Sequence, residues 1–149
     1  AIGNKGYFGT GSINILGGLN LKDFWEYDPV NDSWQQKADL IGEARQYAFA
    51  FTINNKGFIG SGSGSGLLSD FYEYNPESNE WVQKANLPQA RVGAAAFSIG
   101  DKGYICTGND GSQYKNDFWM FDPSDASNGL DANNNPLGKW NQKQNLPAP

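Results

Sequence analysis

Asp23-Phe24-Trp25-Glu26-Tyr27-Asp28-Pro29 decides how the rest of the chain reads, because the chain writes it three times. It returns as Asp70-Phe71-Tyr72-Glu73-Tyr74-Asn75-Pro76 and as Asp117-Phe118-Trp119-Met120-Phe121-Asp122-Pro123, at a constant step of 47 residues. A fixed period of that size marks a repeat architecture, in which one supersecondary unit is stacked several times. The alternation inside each copy predicts a strand. Phe24, Phe71 and Phe118 fall on one face with Glu26, Glu73 and Met120, while Trp25/Tyr27, Tyr72/Tyr74 and Trp119/Phe121 fall on the other. The Asp-Pro or Asn-Pro that closes each copy stops the strand and opens a turn.

Other segments recur around this one. Upstream stand Lys5-Gly6-Tyr7-Phe8-Gly9-Thr10-Gly11, Lys56-Gly57-Phe58-Ile59-Gly60-Ser61-Gly62 and Lys102-Gly103-Tyr104-Ile105-Cys106-Thr107-Gly108, each after Asn or Asp. Asx-Lys-Gly before an apolar run reads as a hairpin turn feeding a short strand. Gly9, Gly60 and Cys106 share one position, which is expected to stay small because neighbouring repeats pack closely there. Cys106 reads accordingly as a small buried residue rather than a nucleophile. Downstream, Trp34, Trp81 and Trp140 each head a fourth strand running into Gln-Lys-x-Asx-Leu at 36–40, 83–87 and 142–146. Trp81 follows Trp34 by the usual 47 residues, but Trp140 follows Trp81 by 59, so the turn over 124–139 carries an insertion of 12 residues.

The last recurring segment is Ala44-Arg45-Gln46-Tyr47-Ala48-Phe49-Ala50-Phe51, matched by Ala90-Arg91-Val92-Gly93-Ala94-Ala95-Ala96-Phe97. Small residues dominate it, as expected of strands over 45–53 and 91–99 crowded about a central axis. Each period thus yields four strands. This chain has the last three of them three times and the small-residue strand twice, eleven strands in all. The expected organisation is one repeat domain, residues 1–149, with all-β units at approximately 1–43, 44–89 and 90–149. The first unit lacks its innermost strand, of which Ala1-Ile2-Gly3-Asn4 reads as the tail. Radial repetition into a β-propeller suits such units, since it leaves only short, protected edges.

Composition agrees with this and narrows the function. The 19 glycines, 14% aromatic content and absence of a sustained 3.6-residue apolar period argue for short strands joined by tight turns. A net charge of −5 and a pI near 4.5 weigh against nucleic acid or an anionic membrane surface as partner. No apolar stretch approaches the ~20 residues needed to span a bilayer, and no signal peptide is visible. One cysteine allows no internal disulfide. No histidine is present, which removes His-based triads and acid–base pairs and the commonest transition-metal ligand.

The carboxylates that remain read as structural. Asp23, Asp70 and Asp117 recur together with their aromatic neighbours, and a turn or a backbone hydrogen bond accounts for them. Asp131-Ala132-Asn133-Asn134-Asn135 has the start of a calcium-loop pattern, but Pro136 stands where Gly is needed and Gln142 where the bidentate Glu belongs. That stretch reads as a solvated loop. Asn31-Asp32-Ser33 is a formal glycosylation sequon produced by the turn before Trp34. Neither a metal nor a cofactor is expected.

The succession Tyr/Phe-x-x-Thr/Ser-Gly, Asp-Phe-Trp/Tyr-x-Tyr/Phe-Asp/Asn-Pro, Trp and Ala-Arg resembles the kelch repeat of galactose-oxidase-like β-propellers, over essentially the whole chain. The usual double glycine of the second strand is here Thr-Gly or Ser-Gly, a variant similar to kelch repeats of bacterial, often exported, proteins. The resemblance implies propeller blades and an extracellular or periplasmic location. It implies a ring of five to seven blades, and therefore either a piece of a longer propeller or a short repeat protein that self-associates, two chains making six blades. It does not carry over a copper-radical oxidase activity, whose histidine ligands have no counterpart here.

A propeller works through loops on a rigid frame. The copies differ most over 12–22, 63–69 and 109–116, so the working surface is expected there, joined by the loops before Arg45 and Arg91. The expected binding residues are Asn14, Arg45, Arg91, Asn109, Asp110 and Tyr114, facing a protein or glycan ligand. For the two arginines, a buried structural role bonded to carbonyls of adjacent blades stands beside the binding role. A non-enzymatic interaction module is the leading expectation. The alternative is part of a kelch-type carbohydrate enzyme, such as a sialic-acid mutarotase, with Arg and Glu at the channel.

Overall fold

The structure is a computed structural model, and it describes residues 1–13 and 18–147. Among the described residues there are eleven strands and no helix. β1 (Gly6–Ser12), β2 (Asn20–Asp28) and β3 (Ser33–Lys37) form a three-stranded antiparallel sheet in sequence order. β4 (Phe49–Ile53), β5 (Lys56–Gly60), β6 (Phe71–Asn75) and β7 (Glu80–Gln83) form a four-stranded one. β8 (Ala95–Ile99), β9 (Lys102–Cys106), β10 (Phe118–Asp122) and β11 (Lys139–Lys143) form another. None closes into a barrel. The three sheets make an open, propeller-like arc.

The first sheet lacks a counterpart to β4 and β8, as expected. Ile2 nevertheless pairs with Lys5 through two backbone hydrogen bonds of 3.1 and 3.2 Å. Ile53 and Ile99 pair in the same way with Lys56 and Lys102 at the ends of β4 and β8. The small-residue strands themselves start later than expected, at Phe49 and Ala95 rather than at the arginines. Tyr47 (φ 59°) and Gly93 (φ 64°) turn the backbone out of the extended region. The arginine segments are instead joined to the outer loops by the bridges Gln46–Ser63 and Val92–Asn109.

Aromatic clusters fill the two spaces between sheets. Phe24 of the first sheet meets Tyr74 and Trp81 of the second, with ring centroids 4.8 and 4.9 Å apart. Phe71 of the second sheet meets Phe121 and Trp140 of the third at 4.8 and 5.1 Å. The repeated heptapeptide thus faces both neighbours, its Phe turned toward the following sheet and its Tyr/Phe toward the preceding one. In the middle copy Phe71, Tyr72, Glu73 and Tyr74 are all buried, because that sheet is covered on both faces. The tryptophans add a second link. Trp81 Nε1 donates to Ala38 O at 2.8 Å, and Trp140 Nε1 to Ala85 O at 3.0 Å. Each fourth strand is tied in this way to the end of the preceding one.

The small position at Gly9 and Gly60 has a different cause from the one the repeats lead one to expect. A Cβ on Gly60 would lie 2.6 Å from a ring carbon of Phe71, its cross-strand partner in the same sheet, and Gly9 stands in the same relation to Phe24. Close approach between sheets falls instead at Gly103, where a Cβ would meet the Phe51 ring at 2.2 Å. Cys106 is half-buried and pairs with Phe118.

The departure from a double glycine also has structural content. Thr10, Ser61 and Thr107 take φ of 60°, 62° and 63°, followed by Gly11, Gly62 and Gly108 at 107°, 99° and 91°. A non-glycine residue in that region costs roughly 1–2 kcal/mol. Ser61 offsets this through its hydroxyl, which donates to the Arg91 carbonyl. Thr107 Oγ1 donates only as far as the adjacent Cys106 carbonyl at 2.6 Å, and accepts a long 3.4 Å contact from Ala95 N. Thr107→Gly is therefore expected to raise stability by about 0.5–1 kcal/mol, after allowing for the freer unfolded chain. Ser61→Gly is expected to gain less or to lose. Urea midpoints of the two variants test the contrast, and a Thr107→Gly midpoint below wild type refutes it.

Candidate functional site

Arg45 and Arg91 enter the interior just before the strands they were expected to begin. Arg45 is 0% and Arg91 1% exposed. Arg45 makes a two-pronged pair with Asp70, with nitrogen–oxygen distances of 2.6 and 2.7 Å, and Arg91 makes the same pair with Asp117 at 2.6 and 2.7 Å. Two further donors of each go to main chain: Arg45 to Ser61 O (3.1 Å) and Glu43 O (3.0 Å), Arg91 to Thr107 O (3.0 Å) and Gln89 O (3.5 Å). Protein groups thus take four of the five N–H donors of each guanidinium. The structural role considered for them describes their surroundings: each arginine bonds one carbonyl at the end of the preceding repeat (Glu43, Gln89) and one in its own (Ser61, Thr107), with a carboxylate as the principal partner.

That carboxylate is the opening Asp of the heptapeptide. The aromatic residue two positions on returns to it, since both point to the same face of the strand. Tyr72 OH donates to Asp70 (2.8 Å), Trp119 Nε1 to Asp117 (2.7 Å) and Trp25 Nε1 to Asp23 (2.7 Å). Burial acts to raise the Asp70 and Asp117 carboxyls, but the arginine pairs and the Tyr72 or Trp119 donors outweigh it and hold both below the usual carboxylate range. Burial and the bond to Asp70 push the Tyr72 hydroxyl up to about 12. Asp23 sits in the same frame, and no arginine of the first repeat stands opposite it. Backbone turn bonding was the expected explanation for these aspartates; a buried side-chain triad is what the fold makes of Asp70 and Asp117.

The loops over 63–69 and 109–116 share a frame despite unlike sequences. Leu68 N donates to Gly62 O and Lys115 N to Gly108 O, both at 2.9 Å. The loops approach each other where Leu67 faces Gly111. In the second loop Asp110 is the organising residue. It accepts from Ser112 Oγ (2.7 Å), Ser112 N (2.9 Å), Gln113 N (2.9 Å) and Gln89 Nε2 (2.9 Å), and it pairs with Lys115 at 3.2 Å. These donors, led by the Ser112 hydroxyl, hold its carboxyl well below the usual range. Asn109 Oδ1 accepts from Gly111 N at 2.7 Å. Asn109 and Asp110 therefore shape the loop. Tyr114, bridged to Asn109, is 88% exposed and leaves its ring free of the frame.

Tyr47, which sequence reasoning did not single out, is 65% exposed on the loop after Arg45, and its carbonyl accepts from Gly93 N at 3.1 Å. Its recurrence partner is Gly93, so nothing in the repeat pattern marked it. The structure brings Arg91, Asn109, Asp110, Tyr114 and Tyr47 to one end of the arc through the bridges named above. Asn14 lies outside the described residues.

The insertion of the third repeat is exposed over most of its length, as expected of a solvated loop, with one exception. Asp131 turns inward and pairs with Lys84 Nζ at 2.5 Å, while its other oxygen accepts from Asn133 N (2.9 Å) and Asn135 N (3.0 Å). Lys84, almost wholly buried, also meets Glu73 at 3.2 Å and Pro136 O at 3.0 Å. The insertion thus staples the third repeat to the second by neutralising a buried ammonium. Among the described residues no three His, Cys, Asp or Glu side chains come together as metal ligands. No helix of the described residues is long and apolar enough to cross a membrane.

No protein-family model matches the chain, and no curated protein matches it in sequence. Among solved structures, that of YjhT matches with a TM-score of 0.77 at 16% identity, over 99% of this chain and 51% of the YjhT chain. The chain spans about half the length of that structure. At this identity the likeness is one of fold: an all-β, propeller-like arc.

Proposed function

We propose that this chain is a stretch of kelch-type β-propeller that serves as a non-enzymatic binding module, taking a protein loop or a glycan on the end of the arc built by loops 63–69 and 109–116. The observation that carries the reading is the pair of bare aromatic rings, Tyr114 and Tyr47, on a frame whose polar groups are already satisfied. Rigid tyrosines supply contact area at little entropic cost, and their hydroxyls add direction. The burial of Arg45 and Arg91 against Asp70 and Asp117 moves the expected contacts away from guanidinium groups and toward aromatic ones. Asn109 and Asp110 then belong to the surface as its supports.

Screening on a glycan array and on a displayed peptide library, followed by Tyr114→Ala and Tyr47→Ala, tests this. Tyr114→Ala is expected to weaken a captured ligand at least about ten-fold, as loss of an aromatic anchor does, with the urea midpoint unchanged. A ligand that both variants hold as tightly as wild type places the site elsewhere and refutes the reading. Exchange of sugar anomers detected by NMR in the presence of the chain favours the enzymatic alternative instead.

A further inference from the structure

The arc ends in two faces that are the two halves of one repeated interface. Toward the preceding position, the first sheet presents Phe8, Trp25, Tyr27 and Trp34. Their counterparts in the second sheet, Ile59, Tyr72, Tyr74 and Trp81, are buried against the first. Trp34 is 57% exposed where Trp81 is 8% exposed. Toward the following position, the third sheet presents a stack of Phe97, Tyr104 and Phe118, with centroids 5.4 and 5.5 Å apart. The matching stack of Phe51, Phe58 and Phe71 in the second sheet is buried under Phe121 and Trp140. Leu146 is 38% exposed where its equivalents Leu40 and Leu87 are 1% and 4% exposed. Met120 replaces the Glu26/Glu73 carboxylate on that outer face, leaving it more apolar than either inner one.

We infer that a second copy of this chain covers these faces, the first sheet of one copy packing on the third sheet of the other in head-to-tail fashion. The two interfaces within the chain are the template for the contact between copies. By that template the Trp34 indole, which has the place of Trp81 and Trp140, donates to the Gln144 carbonyl of the second copy, which has the place of Ala38 O and Ala85 O. Unlike faces meet, so the contact is heterologous, and with three sheets per copy it is satisfied at both ends only if the pair closes on itself. This inference is independent of the ligand surface proposed above, which lies on the loop end.

Sedimentation over a range of concentrations tests it, starting from a chain mass of 16.3 kDa. The wild type is expected to move to twice that mass as concentration rises. Trp34→Glu and Phe97→Glu, at positions already exposed in the single chain, are each expected to weaken pairing at least about ten-fold, with unchanged circular dichroism. Mixing the two variants is expected to restore part of the pairing that neither shows alone, because one intact face remains on each. A chain that stays at its monomer mass at every concentration overturns the inference and leaves flanking chain as the cover. Pairing indifferent to both substitutions, or not restored by mixing, overturns the head-to-tail geometry.

Discussion

Arg91→Ala is expected to destabilise the chain by about 3–5 kcal/mol, the range for breaking a buried ion pair from one side. The lower part of that range applies, because the Asp117 side chain keeps 11% exposure and is not sealed from water. The substitution strands the Asp117 carboxylate with only Trp119 Nε1 and leaves the Thr107 carbonyl without its guanidinium donor. Since small domains are stable by about 5–15 kcal/mol in total, a loss of this size shows as a large shift of the urea midpoint. Arg91→Met combined with Asp117→Leu is expected to cost less than the sum of the single changes. A double variant that costs the full sum refutes the coupling.

The same pairs set an acid limit on stability. Asp70 and Asp117 titrate below the ordinary carboxylate value in the folded chain. Their contribution is therefore complete above the unfolded value of about 4 and is lost as pH falls through the lower folded values. Acid unfolding is expected to begin below pH ~4 and to begin at higher pH in Arg91→Ala, whose Asp117 has lost the charge that holds its proton affinity down.

Phe71→Ala is the other large effect, about 3–5 kcal/mol, as expected for truncating a buried aromatic in a tightly packed cluster. Phe71 is 0% exposed and lies within about 6 Å, ring to ring, of Phe49, Phe51, Phe58, Phe121 and Trp140. The cavity opens between the second and third sheets, so the Trp140 environment changes with it. Phe118 holds the equivalent place in the repeat but only half-buried, and Phe118→Ala is expected to cost clearly less in the single chain. Denaturant melts at low concentration compare the two directly. Equal losses refute the assignment of the Phe71 effect to packing between sheets.

The strand pattern was legible because it is local. Period-two alternation, Asx-Lys-Gly turns and Asx-Pro stops each depend on a few consecutive residues, and the 47-residue recurrence let three copies confirm one another. The count of eleven strands and the incomplete first sheet follow from that alone. Where a local conformation broke the pattern, the reading slipped: the positive φ of Tyr47 and Gly93 moved the start of two strands by four residues. The site was less legible. Ala-Arg and the opening Asp recur together, twenty-five residues apart in one repeat and twenty-six in the next, and that joint recurrence was the available signal for an ion pair.

By itself the sequence determined that this is an all-β repeat protein, which segments are strands, and which loops vary. Only the tertiary structure decided what the charged residues do. Arg45 and Arg91 became buried partners of Asp70 and Asp117, and Asp131 the neutraliser of Lys84, because folding places side chains 25, 26 and 47 residues apart within hydrogen-bond distance. A charge withdrawn from water must find its opposite. Asp70 and Asp117 answer that need in the second and third copies, while Tyr47 and Tyr114, which the repeat does not constrain, are left standing in solvent.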